Sequence, residues 1–275
     1  MRYLLRLLQL IYFVYAAALF LVLMIPVFLL AIAASFFGSI RGGNMIYSIC
    51  TVWADIWFFL VGIIHRNTDP SPVSTGKPYI FVVNHISYLD AALLVKVFRT
   101  PIRPLGKVEM AKIPLFGYIY RKAIVVVDRS DPEKRTRSVD RLKAVLRKGI
   151  SILVFPEGTF NETHRPLKSF YDGAFRIAIE TGTPVKPVLF LDTYDRLPYD
   201  KSLGLNPGKS RAVFLEEIPV TGLKAEDVGV LRDRVYAIME RELKRYGASW
   251  IREEMGGGHP VPAGLKNSVI KINDK

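Results

Sequence analysis

His85 and Asp90 stand five residues apart in Asn84-His85-Ile86-Ser87-Tyr88-Leu89-Asp90, directly after an apolar run at 79–83. An apolar, β-rich run that breaks into polar residues marks the end of a buried strand, where α/β proteins place their chemistry. Ser87 with Asp90 three residues on has the capping-box pattern, so a helix is expected over about 88–97. His85 then lies on the strand-to-helix loop, and Asp90 in the first helical turn. Folded back over the helix start, the imidazole can donate from one ring nitrogen to Asp90. Its other nitrogen is thereby fixed as an acceptor for a hydroxyl proton. On a plainer reading Asp90 only closes the capping box and His85 is an ordinary loop histidine; the pair alone leaves both open.

The same break recurs at 151–155, an apolar run followed by Pro156-Glu157-Gly158-Thr159. Glu157 and Gly158 then reach the rim that His85 occupies. His85, Asp90, Glu157 and His164 could instead ligate a metal in a hydrolase, although their spacing matches no familiar ligand pattern. Of the other histidines, His65 abuts a hydrophobic segment and His259 lies in a glycine-rich tail. Cys50 is the one cysteine, so no intrachain disulfide exists, and its apolar surroundings argue against a cysteine nucleophile.

Asn-His-x-x-x-x-Asp at 84–90 and Phe-Pro-Glu-Gly-Thr at 155–159 together resemble the glycerolipid acyltransferases. The best-known members of that family are the 1-acylglycerol-3-phosphate acyltransferases of the PlsC type. Weaker matches extend the likeness: Lys107-Val108-Glu109 with Pro114, Gly117 and Asp128-Arg129, and then Thr183-Pro184-Val185-Lys186-Pro187-Val188. The resemblance implies acyl transfer from acyl-CoA or acyl-carrier protein to the free hydroxyl of a lysophospholipid. With 1-acylglycerol-3-phosphate the product is phosphatidic acid, made without an acyl-enzyme, a cofactor or a metal. By that likeness His85 is the general base and Asp90 orients it, the logic of a serine hydrolase with the substrate hydroxyl replacing the enzyme's serine. Asn84, Lys107, Arg129, Glu157, Gly158, Thr159 and Pro187 would bind substrate. Lys107, with Arg129, would take the acceptor phosphate. Gly158 would offer its amide to it, and Pro187 would shape the acyl or acceptor pocket. A carboxylate beside a phosphate is electrostatically awkward, so Glu157 is expected on a hydroxyl or on a cation such as Lys107 or Arg129. Members often carry a basic residue after the threonine. Phe160 stands there in this chain, which keeps a different acceptor, such as a lyso-aminolipid, as the alternative.

The elements that must hold these residues imply a mixed α/β sheet layered by helices, preceded by a hydrophobic helical membrane anchor. Residues 7–40 carry no charged side chain. As helix they would run about 50 Å, longer than the hydrocarbon core of a bilayer. Residues 45–64 are apolar again but contain Asp55, costly alone at bilayer depth. Arg2, Arg6, His65 and Arg66 bracket the pair and place both the N-terminus and the catalytic domain on the cytoplasmic side of a bacterial-type inner membrane. The expected divisions are an anchoring helical pair at 1–66, an acyltransferase domain at 67–248 opening on a Pro- and Gly-containing linker at 67–77, and a loose tail at 249–275. Further strands are expected at 102–108, 123–127, 185–191 and 211–216. Helices are expected at 133–148, from Ser169 to about Gly182 behind a second capping box, and at 223–246. Net charge is +13, and residues 99–150 hold 14 Lys or Arg against 5 Asp or Glu. No nucleic-acid signature accompanies that basic segment, so beside an anchor it suits anionic lipid.

Overall fold

The computed structural model describes residues 2–74, 76–127, 131–201 and 204–252. The chain opens with α1 (Arg2–Ser35), a π-helical stretch (Gly38–Gly42) and α2 (Gly43–Leu60). There follow β1 (Ile63–Thr68), β2 (Ile80–Val83), α3 (Asp90–Val97), β3 (Arg103–Lys107), a 3-10 turn (Val108–Lys112), α4 (Phe116–Ala123) and β4 (Val125–Val127). The remainder is α5 (Pro132–Arg147), β5 (Ile152–Val154), α6 (Gly173–Thr181), β6 (Val185–Phe190), α7 (Thr193–Arg196), β7 (Gly208–Phe214) and α8 (Val228–Arg245). Seven strands form one sheet in the order β1-β7-β6-β2-β5-β3-β4. All neighbours are parallel except β6 and β7. β2 is therefore central, with β5 and β6 beside it, and its C-terminal end opens onto the loop that carries His85.

Side chains alternate across this sheet and build two cores. Phe81, Val83, Leu153, Val188 and Phe214 face a layer made by α2 and α3. Ile80, Val82, Val154, Leu189 and Val213 face α5, α6 and α8. The α2 segment, expected as the second half of an anchor, belongs to the first layer: Tyr47, Trp57 and Phe58 are buried, and Tyr47 Oη donates to Phe98 O at 2.9 Å. Asp55 is not alone there. It pairs with Lys96 at 2.5 Å and with both guanidinium arms of Arg99 at 2.9 and 2.7 Å, so α2 meets α3 through charge as well as packing. Buried Arg103 ties the π-helical stretch to the start of β3, donating to Asn44 Oδ1 and Ile40 O.

α1 then covers α2. Phe20 sets its edge on Trp53 and Trp57, and Trp57 Nε1 donates to Ala16 O at 3.0 Å. The opposite face of α1 shows a stripe of exposed Leu7, Ile11, Val14, Leu21 and Ile25 at helical spacing. Tyr3–Ser35 is long and apolar enough to cross a membrane, with mean hydropathy 2.8. Pro26 sits inside it without ending the helix. Near its start α1 borders residues 205–207, and near its end Phe28 and Ser35 touch Tyr118 of α4. These contacts lie about 30 to 40 Å apart along the axis, at least the roughly 30 Å of a hydrocarbon core. The helix thus runs alongside the domain instead of leading away from it.

Several expectations are corrected. β1 spans the boundary placed at 66 and begins the sheet where a linker was expected; it pairs with β7 along its length. The 3-10 turn, α4 and α7 were not foreseen. α6 starts at Gly173, four residues after Ser169, and Asp172, at its N-cap position, turns its side chain to Arg232 at 2.7 Å in place of capping the helix. β7 begins and ends earlier than 211–216, and α8 begins at Val228 after a short 3-10 turn.

Candidate active site

The end of β2 is held before any chemistry begins. Asn84 is buried, and its amide makes both halves of a pair with the Phe190 backbone: Nδ2 donates to the carbonyl at 3.0 Å and Oδ1 accepts from the amide at 2.8 Å. With both ends of its side chain so placed, Asn84 ties β2 to the end of β6, which corrects its expected place among substrate contacts. Pro187 is likewise buried in β6, opposite Val82, three residues before the strand ends. It packs in the sheet and lines no part of the site's mouth.

Asp90 gathers the loop. Its Oδ2 accepts from Ile86 N at 2.8 Å, Ser87 N at 2.9 Å and His85 Nδ1 at 2.8 Å. Ser87 Oγ accepts in turn from Leu89 N at 3.0 Å. Only half of the expected capping box forms: Asp90 reaches back to Ser87 N, whereas Ser87 Oγ takes Leu89 N in place of Asp90 N, and α3 starts at Asp90 with no side-chain cap on its N-cap residue, Leu89. Asp90 Oδ1 is buried and has no partner among the described residues. With Nδ1 donating to a carboxylate, the His85 tautomer is set, and Nε2 is an acceptor with no partner among the described residues. The ring is stacked on Phe155 with centroids 4.1 Å apart and meets the edge of Phe160 at 4.4 Å. Tyr88 leans on Phe160 from outside. This aromatic slot leaves 19% of the His85 side chain exposed, enough for one ring nitrogen to be reached from outside.

Glu157 clips the second loop to the first. Its Oε1 accepts from His85 N at 2.9 Å and its Oε2 from Lys168 N at 2.8 Å. Among the described residues it meets two backbone amides, and neither Lys107 nor a side-chain hydroxyl, which corrects that expectation. Gly158 sits at φ 73°, a conformation that favours glycine, and donates its amide to Phe155 O within the turn. That amide is thus not the phosphate donor expected of it. The amides of His85, Ile86 and Ser87 are also engaged internally, so the loop builds the site without offering them to a ligand.

Lys107, Glu109, Val127, Gly158 and Thr159 line a hollow of about 200 Å³ at the ends of β3, β4 and β5. Lys107 is exposed at the end of β3. Lys168 reaches the same rim, with Nζ on Thr159 Oγ1 at 2.7 Å. Arg129 lies outside the described residues. His164 stands apart from this group: its ring pairs with Trp250 O and Tyr199 Oη, so the four-residue metal set is not assembled. Among the described residues no cluster of His, Cys, Asp and Glu could hold a metal ion.

The family model described as Acyltransferase matches residues 64–191. A 1-acyl-sn-glycerol-3-phosphate acyltransferase of Chlamydomonas reinhardtii is 31% identical over 163 residues, covering 59% of this chain and 48% of that protein. The human 1-acyl-sn-glycerol-3-phosphate acyltransferase beta is 27% identical over 190 residues, covering 66% and 68%. Over this region the chain is similar to the acyltransferases. It spans about half the length of the algal relative. The crystal structure of the LPA acyltransferase PlsC from Thermotoga maritima has the same fold, with a TM-score of 0.72 at 23% identity over 92% of this chain and 100% of that one. The family match stops at 191, yet the chain places β7, at 208–214, inside the sheet between β1 and β6.

Three parts of the candidate site escaped the sequence reading. The stacking of Phe155 and Phe160 on His85 was signalled only by aromatic residues flanking the second motif. Lys168 carried no signal, since it lies in no motif and arrives by the return of a loop. The third part is the state of Glu157: burial pushes its carboxyl up to about 7, outweighing the two amides and Lys168 that favour its charge. The folded protein then holds a proton over pH 4.5 to about 7 that the unfolded chain has released. The Glu157 contribution to stability is therefore complete below about pH 4.5 and lost as pH rises through about 7, with a slope of at most about 1.4 kcal/mol per pH unit. Melting curves of wild type and Glu157→Gln across that range should differ by this descending component, which the glutamine lacks. Parallel curves would show that Glu157 titrates as an ordinary carboxylate.

Proposed function

We propose that this acyltransferase moves a fatty acyl group from acyl-CoA or acyl-carrier protein to the free hydroxyl of 1-acylglycerol-3-phosphate, giving phosphatidic acid. The carrying observation is His85 Nδ1 held at 2.8 Å on Asp90 with Nε2 left as acceptor. Nε2 takes the acceptor hydroxyl's proton as its oxygen attacks the thioester carbonyl. Asp90 stabilises the imidazolium so formed. The tetrahedral intermediate collapses, the carbon–sulfur bond breaks, and the departing thiolate receives the proton from Nε2. No acyl-enzyme and no cofactor enter. Lys107 and Lys168 supply cations at the hollow's rim for the acceptor phosphate, and Lys168 provides near Thr159 the charge that Phe160 does not. Acting on a lipid, the protein works with α1 laid along the cytoplasmic leaflet, its exposed stripe in the acyl chains and its basic segment drawn to anionic headgroups.

The test is formation of labelled phosphatidic acid in vesicles from lysophosphatidic acid and each labelled acyl donor. Lys107→Ala should raise KM for lysophosphatidic acid about 10-fold or more, the value of a hydrogen bond to a charged group, and change kcat less. Product from a lyso-aminolipid but not from lysophosphatidic acid would assign the alternative acceptor. No product from any lysolipid would overturn the reading.

A further inference from the structure

The segment between the 3-10 turn and α4 ends in an apolar tip that nothing in the reaction uses. Ile113 and Leu115 are exposed at 43% and 46%, with exposed Pro114 between them. Leu115 stands at φ 59°, ψ −61°, and Phe116 N donates across it to Pro114 O at 2.6 Å. This is a γ-turn of the rare, strained kind, and a leucine is a costly residue to hold there. Behind it Gly117 N donates to Ile113 O at 2.7 Å, and a Cβ on Gly117 would meet Ala111 O at 2.3 Å, so the turn is clamped. Such a strained backbone is normally fixed by burying the side chain it carries. Here nearly half of the leucine is left exposed.

The surroundings name the partner. Tyr118, three residues on, is packed against α1 through Phe28 and hydrogen-bonded to Ser35 at 2.9 Å. Beyond Ser35 the chain exposes Phe36 and Phe37 at 87% and 60%. Through Tyr118 the tip is thus joined to the end of α1 and to the exposed pair that follows it. Lys112, beside the tip in sequence, is exposed, and Lys122 lies over the Tyr118 ring at 5.7 Å. Apolar side chains rimmed by cations suit an anionic bilayer surface, with the cations at headgroup level.

We propose that the tip at 113–115 is a second membrane contact, inserting Ile113 and Leu115 into the leaflet on which α1 lies. This rests on the reading of α1 as membrane-bound. The 3-10 turn joins the tip to Lys107 and Glu109, which line the hollow, at about 2 Å per residue. Seating the tip fixes the hollow some 10 Å from the headgroups, so a lysolipid can present its phosphate and hydroxyl without leaving the leaflet.

The full chain carries single cysteines at Leu115 or, as reference, at Phe36, each labelled with a polarity-sensitive fluorophore; Cys50 is buried and stays silent. Vesicles contain phosphatidylethanolamine and phosphatidylglycerol, with and without nitroxide-bearing lipid. Both positions should shift to the blue and be quenched by the nitroxide. A water-like label at Leu115 beside a quenched one at Phe36 overturns this inference alone. Water-like labels at both overturn membrane binding itself. A blue shift at Leu115 without lipid that grows with protein concentration assigns the tip to a second copy and also overturns the proposal. Leu115→Gly, which keeps the turn, should weaken vesicle co-sedimentation severalfold; unchanged co-sedimentation counts against insertion.

Discussion

Replacing His85 with alanine should lower acyl transfer by about 10²–10⁴-fold while leaving a folded protein, the scale of a lost general base. The fold should survive because the loop does not depend on the imidazole. Asp90 keeps its bonds to Ile86 N and Ser87 N, and Glu157 keeps its bond to the His85 backbone amide, which alanine retains. The losses are one exposed-edge hydrogen bond and the ring between Phe155 and Phe160. Phosphatidic acid formation measured with the melting temperature separates the two effects. A variant that melts like wild type and turns over at full rate would remove His85 from the mechanism.

Asp90→Ala should harm both rate and fold. It leaves the amides of Ile86 and Ser87 without an acceptor, in a loop whose residues 86 and 87 are 1% and 0% exposed. Buried donors left unpaired cost about 1–3 kcal/mol each, so a loss of about 3–5 kcal/mol is expected, a large part of the 5–15 kcal/mol that holds a typical domain. Asp90→Asn separates charge from geometry. All three donors converge on Oδ2, so one amide oxygen can accept from them all, and the amide nitrogen takes the place of the partnerless Oδ1. The asparagine variant should keep most of the stability and the His85 tautomer, yet lose about 10-fold or more in rate because no carboxylate stabilises the imidazolium. Thermal melts and turnover of the two variants together check this. Equal rates for wild type and Asp90→Asn would mean that Asp90 only shapes the loop.

The His85–Asp90 pair was legible because both ends of it leave a sequence mark: an apolar run that stops, and a Ser with an Asp three residues on. Glu157 was legible as a site residue but not in its partners. It accepts from two backbone amides, and amides are the same at every position of a chain. β1 was hidden for a different reason. Only Ile63 of its six residues is buried, so the alternation that betrays a half-buried strand is missing, and its partner β7 lies far along the chain. The place of α2 was hidden by hydropathy itself, since a helix facing a sheet on one side and α1 on the other is as apolar as one facing lipid. Asp55 was the clue, a charge tolerable there only because Lys96 and Arg99 come to meet it.

The pairing of β1 with β7 bears on how the protein is made. His65 and Ser210, hydrogen-bonded across these strands, are 145 residues apart in sequence. On the proposed membrane reading, α1 can settle on lipid during synthesis while β7 is still untranslated. β1 then waits with no strand partner, and β6 waits as an open edge of the kind that invites aggregation. The sheet closes only when the last strand arrives between them, a contact of high sequence separation and so a slow one. Tethering β1 to a surface narrows the search that β7 must make. Membrane attachment would thus act on the nascent chain first as a folding template, before any lysolipid reaches the finished site.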